Sequence, residues 1–237
     1  MARNEYDQLL NEYGQPIGPA VPGWSPRPWP SPTELVGTHV RLQPLAQSHT
    51  HDLFEATRSP ATWTYLFVGP FDHEADGAAA VQQLIDDPSL VPLAILDPDI
   101  GTTLGTASYM RIDPEMGCLE VGWVLFGDRL ARTTAATEAM YLMARHAFED
   151  LGYRRYEWKC DALNAASRAA AQRFGFTFEG IFRQNVIYKG RSRDTAWYAM
   201  TDKDWHRLAP VYRHWLANPT TAGRLSHLTH AALKPSA

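Results

Sequence analysis

Cysteine is scarce in this 237-residue chain: Cys118 and Cys160 are the only two, and both fall in strand-like segments. Two thiols cannot build a disulfide framework, so the fold must rest on a hydrophobic core in a reducing environment. Long apolar runs are missing as well. No stretch approaches the ~20 apolar residues of a membrane span, and the N-terminus carries Asn4, Glu5 and Asp7 where a signal segment would be apolar. A soluble, cytoplasmic protein with no membrane partner is expected. Positive charge is in deficit, with a formal net charge of −4. Neutralising nucleic-acid phosphates needs a concentrated basic face, so no nucleic-acid partner is expected. A mildly acidic surface favours amine partners, as a bias in encounter rate. His49 and His51 stand two apart, not at the one-face spacing of helical metal ligands, and no metal is expected. There is no internal repeat.

What is present is a 45% hydrophobic chain, enough for one sizeable core. Residues 1–34 read as an arm: seven prolines from Pro16 to Pro32, interleaved with Trp24 and Trp29, exclude helix and ladder pairing. The tryptophans fit an arm packed over its own domain or one reaching across a homodimer partner. Residues 35–218 read as the domain, and 219–237 as a polar, unpatterned tail.

Within the domain, Thr38 to Pro44 alternates like a first strand, Ser48 can cap a short helix to Thr57, and Asp72 to Asp87 carries a second helical stripe. Between those helices Trp63 to Phe71 is too apolar for a free loop and reads as a buried turn or a pocket wall. Val91–Leu96, Thr103–Met110 and Cys118–Leu125, separated by Asp/Pro/Gly turns, form an antiparallel meander. Ala136, Met140, Met143, Ala147 and Leu151 then make one stripe of a helix that Thr133 or Thr134 can cap and Gly152 can end. A helical crossover returns parallel, so Arg155–Cys160 should pair beside the third meander strand. A helix from Asn164, a hairpin around Gly190 and a helix from Asp202 to Asn218 follow. The expected architecture is α/β: a mixed, mostly antiparallel sheet of about seven strands flanked by helices.

Chemistry concentrates around the central helix. Small residues from Arg132 to Ala136 lead into its N-terminus, where unpaired N–H groups and the helix dipole can hold a phosphate or serve only for close packing. Glu120 shares a strand face with Cys118, Gly122 and Val124, and a carboxylate on a mostly apolar face is desolvated and can act as a base. It could equally sit on a solvated sheet face with no such task. Gly122 allows close backbone approach or marks a bulge. Asn164 and Ser167 stand at capping spacing, and Asp194 is placed to pair with Arg191 or Arg193.

Taken in order, the Glu-x-Gly-Trp strand (Glu120 to Trp123), the loop into Ala-Thr-Glu-Ala (Ala136 to Ala139), the Asn-x-x-Ser turn (Asn164 to Ser167) and the closing Gly175-Phe176 resemble the GNAT superfamily of acyl-CoA-dependent N-acetyltransferases. The likeness is nearest to the RimJ/RimL-like, ribosomal-protein branch and spans roughly residues 35–205. It implies acetyl transfer from acetyl-CoA to a primary amine, on a protein N-terminus or a small molecule, by direct attack. It further implies that Trp123, Val124 and Leu125 pair with the pantetheine arm and that Arg132, Thr133, Thr134, Ala135 and Ala136 hold the pyrophosphate. Asn164 would contact the coenzyme, Glu120 would be the base, and Ser167 would be a proton donor near the sulfur. The family's loop carries Gln or Arg and Gly where this chain has Ala131 and Thr134, and a β-branched Thr134 would tolerate positive φ poorly. That departure leaves an alternative, a non-catalytic acyl-CoA-binding or scaffold protein. The tyrosine many members use as acid falls at Ala171, which leaves Ser167 and then Tyr188.

Overall fold

The computed structural model describes residues 9–31 and 33–234. Ten strands and six α-helices follow one another as β1 (Leu9–Leu10), β2 (Pro16–Ile17), β3 (Leu35–Val36), β4 (Arg41–Pro44), α1 (Thr50–Ala56), α2 (Glu74–Asp86), β5 (Val91–Leu96), β6 (Thr103–Asp113), β7 (Cys118–Phe126), α3 (Thr134–Arg145), β8 (Arg155–Asp161), α4 (Ala165–Arg173), β9 (Thr177–Tyr188), β10 (Arg191–Thr201), α5 (Asp202–Ala217) and α6 (Leu225–Leu233). The central sheet has eight strands, not about seven, in the order β3-β4-β5-β6-β7-β8-β10-β9. The extra strand is β3, a two-residue edge piece too short to show alternation. β1 and β2 form a separate two-stranded sheet in which Pro16 pairs with Leu10. The expectation that the prolines exclude all pairing therefore fails at Pro16, which sits on so short a ladder that a missing N–H costs little.

Every neighbouring pair in the large sheet is antiparallel except β7 and β8. The α3 crossover imposes that exception, since a strand returning over a helix runs the same way as the one it left. Helices cover both faces. Along β5, Val91, Leu93 and Ile95 enter the large core under α3 and α5, while Ala94 and Leu96 enter a smaller core with Leu53, Trp63 and Val81. α3 is buried from Ala136 to Ala144 on all sides, broader than a single stripe. Its Glu138 is buried because it accepts the backbone N–H groups of Thr38 and His39, holding the β3–β4 turn.

Two local expectations change. Ser48 does not cap the first helix; the His49 ring Nδ1 accepts the Ala46 N–H at 3.1 Å instead. The C-terminal tail is not unpatterned throughout, because α6 packs on α4 and α5 through Leu225 and Thr229, 2% and 0% exposed. The arm rests on its own chain: Trp24 Nε1 donates to the Glu115 carbonyl, Arg27 N–H to Pro114, and Tyr153 Oη to the Pro28 carbonyl. No helix among the described residues is long and apolar enough to cross a membrane.

Candidate active site

β7 loses one of its two partners halfway along, keeping β6 but not β8. Its parallel ladder with β8 runs from Cys118 and Arg155 to Val121 and Trp158 and ends there, although β7 continues to Phe126 and β8 to Asp161. The cause lies in β7 itself. Ser108 pairs with Gly122 but Thr106 with Leu125, so β7 carries an extra residue, and Trp123 takes φ 49° to absorb it. A bulge bends its strand, and here the two strands part. At the bend, a Cβ on Gly122 would press on the flexible end of the Met110 side chain, which would have to move aside.

The opening is a cleft of about 510 Å³. Glu120, Trp123 and Val124 border it from β7, Lys159 and Asp161 from β8, and Asn164 and Ser167 from the turn and helix after β8. Thr62, Tyr65, Leu66 and Phe67 roof it, so the apolar Trp63 to Phe71 stretch both packs and walls: Trp63 is buried while Phe67 is 48% exposed. Arg193, Thr195 and Trp197 line it from β10. The sequence-derived residues thus meet in one place, with exceptions. Leu125 turns away into the smaller core, and the loop from Arg132 to Ala136 lies beyond the far end of β7, outside the cleft lining.

Glu120 is 3% exposed, but its surroundings are not apolar. Arg111 Nη1 and Lys159 Nζ both lie 2.9 Å from its Oε2, and Lys159 reaches Glu157 at 2.7 Å. The expected lone, desolvated carboxylate is in fact one member of an ionic chain that runs on through Arg155 to Glu179. Neither cation was evident in the sequence, because Arg111 lies on the neighbouring strand β6 and Lys159 on β8. Both bind the same oxygen. Oε1 has no hydrogen-bond partner among the described residues and faces Gly122, whose absent Cβ would stand 3.4 Å from it.

On the opposite bank Asn164 Oδ1 accepts the Ser167 N–H at 3.0 Å, the expected cap. Ser167 Oγ accepts the Trp158 indole N–H at 3.0 Å, and its own O–H is directed to the Cys160 sulfur, whose thiol burial pushes up and this hydrogen bond pulls down. Tyr188 donates to Asp161 Oδ2 at 2.8 Å, and burial, with that bond, pushes its phenol up to about 12. A phenol so held is a poor proton donor near neutrality. Asp194 pairs with neither Arg191 nor Arg193; its Oδ1 accepts the Gln184 N–H at 2.7 Å.

At the start of α3, Thr133 is the cap: its Oγ1 accepts the Ala136 N–H at 3.1 Å and donates to Leu130. Positive φ falls on Arg132, at 66°, and Thr134 is the first helical residue, so the anticipated strain at Thr134 does not arise. Thr134 and Ala135 occupy the first helical positions, where an N–H has no partner within its own helix. The Ala136 N–H, in contrast, is already taken. No group of three metal-ligating side chains occurs among the described residues.

A family model described as an acetyltransferase (GNAT) domain matches residues 39–177. The chain is similar to a GCN5-related N-acetyltransferase from Brucella melitensis at 39% identity and a TM-score of 0.84, over 89% of this chain and 100% of that one. It is also similar to the uncharacterized N-acetyltransferase p20 of Bacillus licheniformis, 26% identical over 150 residues, 62% of this chain and 83% of that protein. The ribosomal L7/L12 alpha-N-protein acetyltransferase RimL shares the fold, with a TM-score of 0.62 at 21% identity over 71% of this chain and 94% of that one. A split sheet with its carboxylate at the fork, a family match across more than half the sequence and a solved relative at 39% identity agree: this chain belongs to the GNAT acetyltransferase family.

Proposed function

We propose that this chain transfers an acetyl group from acetyl-CoA to a primary amine in the cleft where β7 and β8 part. The observation that carries the reading is the free Oε1 of Glu120 facing Gly122, with the Ser167 hydroxyl lining the same cleft. The residues present fit the coenzyme. β7 beyond Val121 lacks a β8 neighbour and can pair with an extended amide-bearing arm. The N–H groups of Thr134 and Ala135, with Arg132 beside them, suit a pyrophosphate at a helix start. Bound there, acetyl-CoA supplies an activated thioester.

The side chains then divide the proton work. Glu120 Oε1 takes the proton of the attacking amine, directly or through water, while Arg111 and Lys159 hold Oε2 in place. Backbone N–H groups near Val121 and Gly122 hold the carbonyl oxygen as charge develops on it. Ser167 donates its O–H to the departing sulfur and recovers a proton from solvent as the thiol forms. A thiol pKa of about 8.5 makes that help modest. The protein N-terminus acceptor of the RimJ/RimL-like branch rests on fold likeness alone, and the cleft admits a small amine equally well.

The competing reading, a non-catalytic acyl-CoA binder, predicts a filled acceptor side, whereas a cleft of about 510 Å³ opens beside Glu120. Coenzyme A thiol release, followed colorimetrically with acetyl-CoA and a panel of primary amines, decides between them. Turnover is expected with at least one amine, reduced on the order of 100-fold in Glu120→Gln. Acetyl-CoA binding without turnover on any amine would favour the binder, and an unchanged rate in Glu120→Gln would remove Glu120 from the mechanism.

A further inference from the structure

The ionic groups around Glu120 answer one another: Arg111, Lys159 and Arg155 meet Glu120, Glu157 and Glu179. Arg193 stands outside this balance. It is 8% exposed, it lines the same cleft, and its Nε has no hydrogen-bond partner. Among the described residues no carboxylate pairs with it. The two nearest by sequence and register are committed elsewhere: Asp194 Oδ1 accepts the Gln184 N–H, and Asp161, opposite Thr195, accepts from Tyr188 Oη and the Leu163 N–H. Rings, not charges, hold the guanidinium, with Phe67 at 5.3 Å and Tyr188 at 5.7 Å from its central carbon. Stacking fixes the plane of the fork without consuming its donors. Asp161 lines the same cleft but reaches the arginine only through Tyr188, and a buried cation with no ion pair is costly, while a planar fork of N–H groups matches a carboxylate in two-point contact.

We infer that the acceptor is an amine that also carries a carboxylate, and that Arg193 binds that carboxylate. This rests on the acetyl-transfer reading above and narrows its substrate. β10 adds a distance. Arg193, Thr195 and Trp197 alternate onto the cleft face. Trp197 lies under Lys159 Nζ, 3.7 Å from its ring centroid, and Lys159 holds Glu120. Four strand residues span about 13 Å, which the length of the arginine side chain shortens. The carboxylate therefore stands several bonds from the amine, not on its α-carbon. Arg193 acts as a specificity residue and takes no part in the proton transfers.

The test compares acceptors in pairs that differ only in the carboxylate: ω-amino acids of increasing length against the n-alkylamines of the same length, and dipeptides against their C-terminal amides. Thiol release gives KM and kcat for each, and calorimetry gives the acetyl-CoA Kd separately. In the wild type, the best carboxylated acceptor should show kcat/KM about 30-fold above its partner, chiefly through KM, as expected for a hydrogen-bonded charge pair. Arg193→Met should bring the two within about threefold, and Arg193→Lys, which keeps the charge but not the fork, should recover only part. The acetyl-CoA Kd should stay within twofold in both variants.

Equal turnover of paired acceptors in the wild type, which needs no variant to fold, overturns the inference while leaving acetyl transfer intact. A weakened acetyl-CoA Kd in Arg193→Met also overturns it, by giving the arginine to the coenzyme. Binding of acetyl-CoA without turnover of either series refutes the inferred acceptor class, whereas failure to bind acetyl-CoA at all is the failure of the underlying activity.

Discussion

Glu120 divides its labour between two oxygens. Oε2 carries Arg111 and Lys159, each at 2.9 Å, and Oε1 is left to the cleft. Such a group is positioned by charge as much as by backbone, and the two cations differ in what their loss would do. The Arg111 side chain is 54% exposed, so its pair is screened and contributes little to stability. The Lys159 side chain is 6% exposed, bridges Glu120 and Glu157, and lies against the Trp197 ring. Replacing it with methionine keeps the volume and leaves a buried carboxylate short of its counter-ion. Lys159→Met is expected to lower the unfolding free energy by about 3 kcal/mol, measured by urea denaturation. A loss below about 1 kcal/mol would mean that Arg111 alone suffices for Glu120.

The parting of β7 from β8 is partly legible in the sequence. A glycine two residues after Glu120 signals a bulge or a close approach, and the bulge is there; the residue that absorbs it, Trp123 at φ 49°, is not one that local propensity would choose. Period and punctuation revealed most of the elements: β5 to β8, α3, α5 and the β9–β10 hairpin lie within a few residues of where alternation, caps and Asp/Pro/Gly turns place them. Thr133 capping was also readable, a contact worth about 1 kcal/mol to α3. Other features were hidden for physical reasons. β3 is two residues long, below one period of alternation, and α6 is stabilised by packing of Leu225 and Thr229 on α4 and α5 rather than by local pattern. The neighbours of Glu120 come from strands remote in sequence, so β7 by itself shows a mostly apolar face where the sheet supplies two cations. Arg193 looked like a partner for Asp194 through nearness in sequence alone. Adjacent residues on a strand point to opposite faces, and Asp194 turns to Gln184 instead.

Across the molecule, the arm and the sheet meet through tyrosine. Tyr153, 1% exposed, donates to the Pro28 carbonyl, and burial pushes its phenol from 10.0 up to about 12. Tyr188 at the cleft is raised to about 12 for the same first cause. A phenol with a higher pKa in the folded than in the unfolded chain adds stability in full below the unfolded value. That stability is lost as pH rises through the folded value. Unfolding free energy measured in urea should therefore fall between about pH 10 and 12, and Tyr153→Phe should make the fall shallower. A slope unchanged by that substitution would contradict the burial of this phenol. The arm's other anchors, Trp24 on Glu115 and Arg27 on Pro114, would persist in the variant.

If the helix start after β7 and the fork between β7 and β8 together hold acetyl-CoA, calorimetric titration will show it. Thr134 is the first residue of α3, where proline is compatible with the helix and removes one N–H. Micromolar binding of acetyl-CoA to the wild type is expected, with binding at least about tenfold weaker in Thr134→Pro and no loss of fold by circular dichroism. No binding to the wild type at millimolar acetyl-CoA would contradict this site for the coenzyme.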